Sequence, residues 1–389
     1  MKKGWQTKTL GEVLEKTETV NPLQSPNTEF DYIDVSSVSN TTFEIEETQR
    51  LKGKDAPSRA RKLVRTNDII FATIRPTLQR IAVVPEHLDK QVCSTGYFVL
   101  RPKQGIDHRF VFYSLFTEDF IGQMESLQKG ASYPAVTDGN VRAQAIPVPP
   151  LPEQHRIVAI LDEAFAGIAT AKASAGKNLQ NARAIFESYL QSVFTQQGKG
   201  WMEKRLDAIA EFSQGIQVGL ADQSNAPAVG LVRFIRIIDY TQGTDDIRYV
   251  QDPGRRYWVE KSDIVMVRYG TPGLVGRGIE GVIANNLFKI SIVDGSLTND
   301  FLAHFLGQQK IQNYLSSQGS STMPALTFTQ LGAVTVSFPN DFGEQNEIVS
   351  KLDSLREVTQ RLARIYEQKL AALEALKKSL LNQAFTGEL

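Results

Sequence analysis

The chain is written twice. Trp5-Gln6-Thr7-Lys8-Thr9-Leu10 returns as Trp201-Met202-Glu203-Lys204-Arg205-Leu206, 196 residues on, and Asn67-Asp68-Ile69-Ile70-Phe71 returns as Ser262-Asp263-Ile264-Val265-Met266 at an offset of 195. Pro134-Ala135-Val136-Thr137 matches Pro324-Ala325-Leu326-Thr327 at 190. Glu153-Gln154, Ile157-Val158, Leu161-Asp162 and Phe194-Thr195 match Glu344-Gln345, Ile348-Val349, Leu352-Asp353 and Phe385-Thr386, all at 191. Short matches in one order with a slowly drifting offset imply duplication. The drift is confined to the first three quarters of each copy, so each copy holds a globular part of variable length and a part of fixed length.

Heptads explain the fixed part. Ile157/Leu161, Ala164/Ile168, Ala171/Ala175, Asn178/Ala182 and Ile185/Tyr189 recur every seven residues in the first copy. Ile348/Leu352, Leu355/Thr359, Leu362/Tyr366, Lys369/Leu373 and Leu376/Leu380 do so in the second. This spacing predicts two coiled-coil helices of about 38 residues, roughly 57 Å each. An Ala-rich seam facing a Leu-rich one predicts that the two pack on each other, with Lys369 at the level of Asn178. The proline-rich stretch 147–153 and the Pro339-Asn340-Asp341-Phe342-Gly343-Glu344 stretch mark the helix starts.

The globular parts hold short apolar or alternating runs at 30–35, 69–74, 81–84, 96–100, 231–238 and 263–268, with helical stretches at 110–128 and 299–317. They read as mixed α+β. The expected organisation is 1–150 globular, 151–198 helical spacer, 199–341 globular and 342–389 helical spacer. The fold class is α+β: two globular domains separated by two long antiparallel helices that form an intramolecular coiled coil, in a pseudo-two-fold internal repeat.

Net charge is zero, with 43 basic and 43 acidic residues, which argues against a histone-like or tail-type nucleic-acid binder. The total conceals a local excess: residues 50–65 carry Arg50, Lys52, Lys54, Arg59, Arg61, Lys62 and Arg65 against Asp55 alone. Next comes Ile74-Arg75-Pro76-Thr77-Leu78-Gln79-Arg80, a turn rich in the donor types that read base edges. Its counterpart runs from Arg268-Tyr269-Gly270-Thr271 to Gly276-Arg277. A further loop precedes each fixed-length helix, Lys129-Gly130-Ala131-Ser132-Tyr133-Pro134 and Gly319-Ser320-Ser321-Thr322-Met323-Pro324. Small polar residues there allow backbone N–H groups to approach phosphates.

No catalytic constellation accompanies these loops. The glycines from 270 to 281 form neither a dinucleotide fingerprint nor a Walker motif and read as a bulged hairpin. Asp341-Phe342-Gly343 lacks the other kinase motifs and reads as a helix start. His87, His108, His155 and His304 are scattered, so no metal site is expected. Lone Cys93 excludes an internal disulfide and reads as core, which fits a reducing compartment. Without a signal-peptide core at the start or an apolar run near 18 residues, the expected location is the cytoplasm.

Two variable globular parts alternating with two fixed-length helices resemble the specificity subunit of type I restriction-modification systems. The likeness is carried by Trp201 to Leu206, by Asn67 to Phe71 with Arg75-Pro76, by Pro149 to Val158 and by Phe385-Thr386-Gly387-Glu388-Leu389. The second copy departs from it, with Asn340-Asp341-Phe342-Gly343 before Glu344-Gln345. The resemblance implies a non-catalytic subunit whose two target recognition domains each read half of a split double-stranded DNA sequence. Its helices would space the domains and dock two adenine-N6 methyltransferase subunits, with motor-nuclease subunits joining. S-adenosylmethionine, ATP and magnesium would belong to those partners, and no membrane is involved. DNA contact is expected at Arg75, Thr77, Gln79, Arg80, Ser132 and Tyr133, and at Arg268, Tyr269, Thr271, Arg277, Ser321 and Thr322. The alternatives are a coiled-coil scaffold that joins two proteins without touching DNA and, more distantly, a nuclease with a degraded motif.

Overall fold

The computed structural model describes residues 4–196, 198, 200–243, 245–317 and 325–389. Two compact units emerge, Met1–Ala175 with Gln368–Leu389 and Gly176–Glu367. Each unit is thus one globular part together with half of each long helix.

In the first unit the opening strand Gln6–Thr9 pairs antiparallel with Ala145–Val148, Gln6 opposite Val148. The chain therefore leaves the globular part beside the point where it entered. Between these strands lie a three-stranded sheet centred on Ile69–Ala72 and a four-stranded sheet ordered Gln49–Lys52, Glu29–Ile33, Val92–Ser94, Ala60–Leu63. All four residues of Ile69–Ala72 are buried, as a continuous apolar strand covered on both faces must be. The second unit repeats the plan. Trp201–Arg205 pairs with Thr335–Pro339, and the buried strand Ile264–Val267 lies inside a four-stranded sheet. Both copies keep the same unusual parallel pair, Tyr32 opposite Val92 and Phe234 opposite Val282.

Each of the two expected helical stretches is two helices. His108–Ser114 gives way to Glu118–Leu127 where Thr117 accepts the Phe120 N–H and restarts the helix as its N-cap. Asn299–Leu306 and Gln309–Ser317 are separated by Gly307 and Gln308.

The long helices, Leu151–Thr195 and Phe342–Thr386, have 45 residues each, about 67 Å, because they run past the heptads at both ends. Pro152 sits in the first turn, where its missing N–H has no intrahelical partner to lose. Asp341 starts the second helix, its carboxylate accepting the Gly343 N–H at 3.0 Å. Within each unit the helix halves pack antiparallel. In the first, Arg156 donates to the Leu389 carbonyl at 2.7 Å while Lys172 pairs with Glu374, so the second helix descends as the first ascends. In the second, Arg183 meets Glu367 at 2.7 Å, and Leu190 and Phe194 share a core with Val349 and Leu352.

The seam departs from strict heptads halfway along. Leu161, Ile168, Ala175 and Ala182 are buried as spaced, but Asn178 and Ile185 are exposed and their neighbours Leu179 and Phe186 turn inward. In the second helix Lys369 and Leu376 are exposed while Leu370 and Lys377 turn inward. An α-helix has 3.6 residues per turn, so a seven-residue pattern drifts about 20° per repeat unless the helix supercoils fully. Neither Lys369 nor Asn178 interrupts the seam, because neither lies on it.

Candidate nucleic-acid interface

The buried strand of each globular part ends in an exposed turn; in the first unit a second loop is laid against it, and in the second Ala325 is bridged to it. In the first unit, Asn67-Asp68 begins the strand. Asp68 is buried, accepts the Arg65 N–H at 2.8 Å and takes Arg101 bidentately at 2.9 and 2.8 Å. Asp263 does the same work in the second unit, accepting the Glu260 N–H at 2.8 Å beside Lys289. The repeated Asp is therefore a strand-start device.

After Ala72 the chain makes one 3-10 turn, Pro76–Leu78, bracketed by Arg75 at φ 49° and Gln79 at φ 52°. Two side-chain-bearing residues in the left-handed region cost roughly 1–2 kcal/mol each. The surroundings hold them there. The Arg75 N–H donates to Pro134 O at 2.7 Å, Gln79 N–H to Pro76 O at 3.0 Å, and Val136 N–H to Thr73 O at 2.9 Å. Ile74 bridges Ala135, which in turn bridges Lys129.

These bridges bring the turn of 74–80 and the loop of 129–134 together. The Arg75 guanidinium lies 5.5 Å from the centre of the Tyr133 ring and donates to Ser132 O at 3.3 Å. Tyr133 is 74% exposed, a large ring held in solvent. Arg75, Thr77 and Ser132 are exposed, whereas Gln79 and Arg80 are half-buried. Arg80 donates to the carbonyls of Val38 and Ser36, bracing the loop before the Val38–Ile45 bridge.

In the second unit Tyr269 bridges Ala325 and the Leu326 N–H donates to Arg268 O at 3.0 Å. The backbone register thus sets Arg268 at the place of Thr73 and Tyr269 at that of Ile74, so Arg75 corresponds to Gly270 and has no arginine counterpart. Arg268 is half-buried over the Tyr269 and Phe288 rings at 4.7 and 5.5 Å. Thr271 is exposed at the tip of a hairpin, Ile264–Val267 against Val275–Gly276. Arg277 pairs with Asp300 in the first turn of the helix Asn299–Leu306. Ser321 and Thr322 lie outside the described residues.

The basic run at 50–65 is less free than its sequence implies. Arg50 pairs with Glu29 and Asp31, Lys62 with Asp138 and Arg65 with Glu18, all acids from outside the run. Lys52, Lys54 and Arg59 remain exposed without an acidic partner among the described residues. In the second unit the sequence reading passed over Arg255-Arg256-Tyr257-Trp258. Both arginines are exposed and stack on the aromatics that follow, Arg255 on Trp258 at 5.9 Å and Arg256 on Tyr257 at 5.6 Å. Two cations followed directly by two aromatics were the available signal.

Among the described residues no group of three or more His, Cys, Asp or Glu is placed to hold a metal ion. Burial pushes the Cys93 thiol up to about 12, which leaves it unreactive. No helix among the described residues is long and apolar enough to cross a membrane.

A family model described as the type I restriction modification DNA specificity domain matches residues 2–175 and again 198–374. The chain is similar to the type I restriction enzyme StySPI specificity subunit of Salmonella potsdam, 24% identical over 324 residues, covering 76% of this chain and 69% of that one. It is equally similar to the EcoKI specificity subunit of Escherichia coli strain K12, 24% identical over 328 residues with the same coverage, 76% and 69%. Among solved structures, a chain from work on complex assembly and conformational transition of the type I R-M system superposes with a TM-score of 0.83 at 28% identity, over 100% of this chain and 99% of that one. The HsdS subunit from Thermoanaerobacter tengcongensis gives 0.68 at 29%, over 100% and 98%.

Proposed function

We propose, for a chain that belongs to the type I restriction-modification DNA specificity family, that each globular part binds one half of a split double-stranded DNA target. The chain is a specificity subunit, the non-catalytic member of its system. The observation that carries the finer reading is that the turn after the buried strand is bridged at the same place in both units, Ile74 to Ala135 and Tyr269 to Ala325, which in the first unit sets a second loop beside the turn. In the first unit this gathers a forked donor, an exposed ring and a strained backbone in one exposed place. An arginine there can take guanine O6 and N7 bidentately, and small polar neighbours can take phosphate. Local charge without net charge suits a protein that must find one sequence without adhering to every duplex.

The helices are the docking surface for two methyltransferase subunits. In the second unit Val358 and Ile365, seven residues apart and 55% and 47% exposed, form an apolar stripe, with Ile185 exposed on the other helix. In the first, Leu376 is 47% exposed. Motor-nuclease subunits join the assembly, and S-adenosylmethionine, ATP and magnesium are held by the partners.

Mapping methylated adenines in DNA from cells that express this chain with its methyltransferase tests the reading. The expected pattern is a two-part motif with one modified adenine in each part. Affinity of the reconstituted complex for a duplex carrying that motif should fall linearly on a log-log plot against salt as counterions are released. An unmodified genome and a flat salt response would favour the protein scaffold instead.

A further inference from the structure

In both units a side chain of the first helix after the central sheet reaches an aspartate on a long helix, at equivalent positions. Tyr113 bonds Asp162 and His304 bonds Asp353, each pair displaced by the same 191 residues. The chemistry of the two holds differs. In the first unit the Tyr113 hydroxyl and Arg109 share Asp162, Arg109 also meets the hydroxyl at 3.0 Å, and the Tyr113 ring packs edge-on against Phe165 at 5.4 Å. Burial raises the phenol above its ordinary range, so this hold keeps its protons at any pH a cell reaches.

His304, only 3% exposed, occupies that place in the second unit. Its Nε2 lies 2.8 Å from the Asp353 carboxylate and its Nδ1 lies 3.3 Å from a terminal nitrogen of Arg356. A guanidinium only donates, so Nδ1 must accept and the ring must be neutral, its proton on Nε2 and given to Asp353. Arg356 is fixed over the Phe186 ring at 4.9 Å, with Glu187 nearby on the same helix as Phe186. Arg277, bound to Asp300 one turn before His304, is the other cation that faces the ring. A second ring proton would therefore point Nδ1–H at Arg356 and leave a buried cation between two guanidinium groups.

We propose that His304 is the positioning residue of the second DNA-reading part, and that its protonation loosens the hold of that part on the long helix. Acid then weakens recognition of the second half-site more than that of the first. The half-site consequence rests on the DNA reading above; the loosening does not.

The sign is set by the surroundings. Burial first and Arg356 next lower the basicity of His304 below its ordinary 6.5, and Asp353 opposes them. Above about pH 6.5 the ring is neutral folded or unfolded, and the hold is complete. As pH falls below that value the unfolded state takes up a proton that the folded state refuses. The opening equilibrium then shifts by up to about tenfold per pH unit until the folded ring protonates.

Hydrogen exchange of the full chain at pH 7.5 and 5.5, corrected for intrinsic rates, reads the hold directly. Protection of Asn299–Leu306 should drop about fivefold to tenfold in acid, while that of His108–Ser114, read in a His108→Gln background because burial also lowers the basicity of His108, stays level. His304→Tyr installs the residue of the first unit and should abolish the difference. His304→Gln, which can donate to Asp353 and accept from Arg356 without titrating, should do the same if the ring of tyrosine does not fit. Equal acid response in the two segments, or a response that survives His304→Gln, would overturn the proposal. A duplex carrying the mapped motif, with either half scrambled, then reads the consequence. Acid should weaken binding through the second half several-fold more than through the first. Equal weakening alongside the expected exchange would sink the half-site consequence, and no binding at pH 7.5 would sink the DNA reading instead.

Discussion

Replacing Gln345 by leucine should weaken the second unit by about 3 to 5 kcal/mol and leave the first untouched. The side chain is fully buried and its amide makes three bonds. It accepts the Thr298 N–H at 2.9 Å and donates to Pro339 O at 2.9 Å and Ser296 O at 3.0 Å. Leucine fills nearly the same volume but leaves one N–H and two carbonyls without partners away from water. Each orphaned group costs roughly 1–3 kcal/mol, the N–H toward the upper end and the carbonyls toward the lower. Domains are stable by about 5–15 kcal/mol, so the loss is a large share of what the unit has. Urea unfolding followed by fluorescence separates the units. Trp201, whose indole N–H donates to Glu344 beside the mutated residue at 3.0 Å, reports the second, and Trp5, packed against the first core, reports the first. Single-tryptophan versions that retain one or the other keep the signals apart. A shift worth less than about 1 kcal/mol at Trp201, or an equal shift at Trp5, would refute the claim that this amide fixes the helix start to its own globular part.

Three further outcomes follow from the geometry. Arg75→Ala should weaken binding through the first half-site by about 1–3 kcal/mol if the fork takes a guanine, with the second half-site unchanged in the same titration. Phe43 sits at φ 59° with its ring edge-on to Phe116 at 4.7 Å and the Lys377 ammonium 4.9 Å from its centre. Phe43→Ala should lose about 2 kcal/mol in urea, and Phe43→Gly should be about 1 kcal/mol better than alanine, the reverse of the usual order, because only glycine relieves that backbone. Gly276→Ala would bring a Cβ within 2.6 Å of the Tyr240 ring, so it should cost the second unit about 1–3 kcal/mol in the same Trp201 assay.

The repeat, the buried strands and the long helices were legible because each depends on local pattern. Ile264–Val267 is four apolar residues bounded by turn formers, and such a run has few alternatives to a central strand. What escaped the sequence depends on partners far along the chain. The Ile74–Ala135 bridge joins residues 61 apart, and no local signal says that the turn and the loop meet. The positive run at 50–65 is partly neutralised by Glu18, Glu29, Asp31 and Asp138, none of them inside it. Arg80 and Arg277 look like free donors in sequence, yet one braces a loop and the other meets Asp300. The heptad phase failed for a different reason: 3.5 and 3.6 residues per turn are indistinguishable over two repeats and differ by one position over five.

The constant offset now has a physical origin. Gln154 accepts the Asp107 N–H at 2.8 Å and donates to Pro149 O at 2.9 Å and Gly105 O at 3.3 Å, matching the contacts of Gln345 one by one. Asp107 and Thr298 are the N-caps of the helices that carry Tyr113 and His304. One amide therefore ties the start of a long helix to the start of the helix that grips it two turns later, and neither spacing can change without breaking the other. The second copy carries one more residue at this point, since its proline lies six residues before the glutamine and not five, yet all three bonds are kept. The extra residue is absorbed at Asn340, outside the hydrogen-bonded set. Variation in length is tolerated in the segments outside this seat, and those are the segments that carry Arg75, Tyr133 and Thr271. A protein built this way can change what its loops present while the seat of each globular part on its helix stays the same.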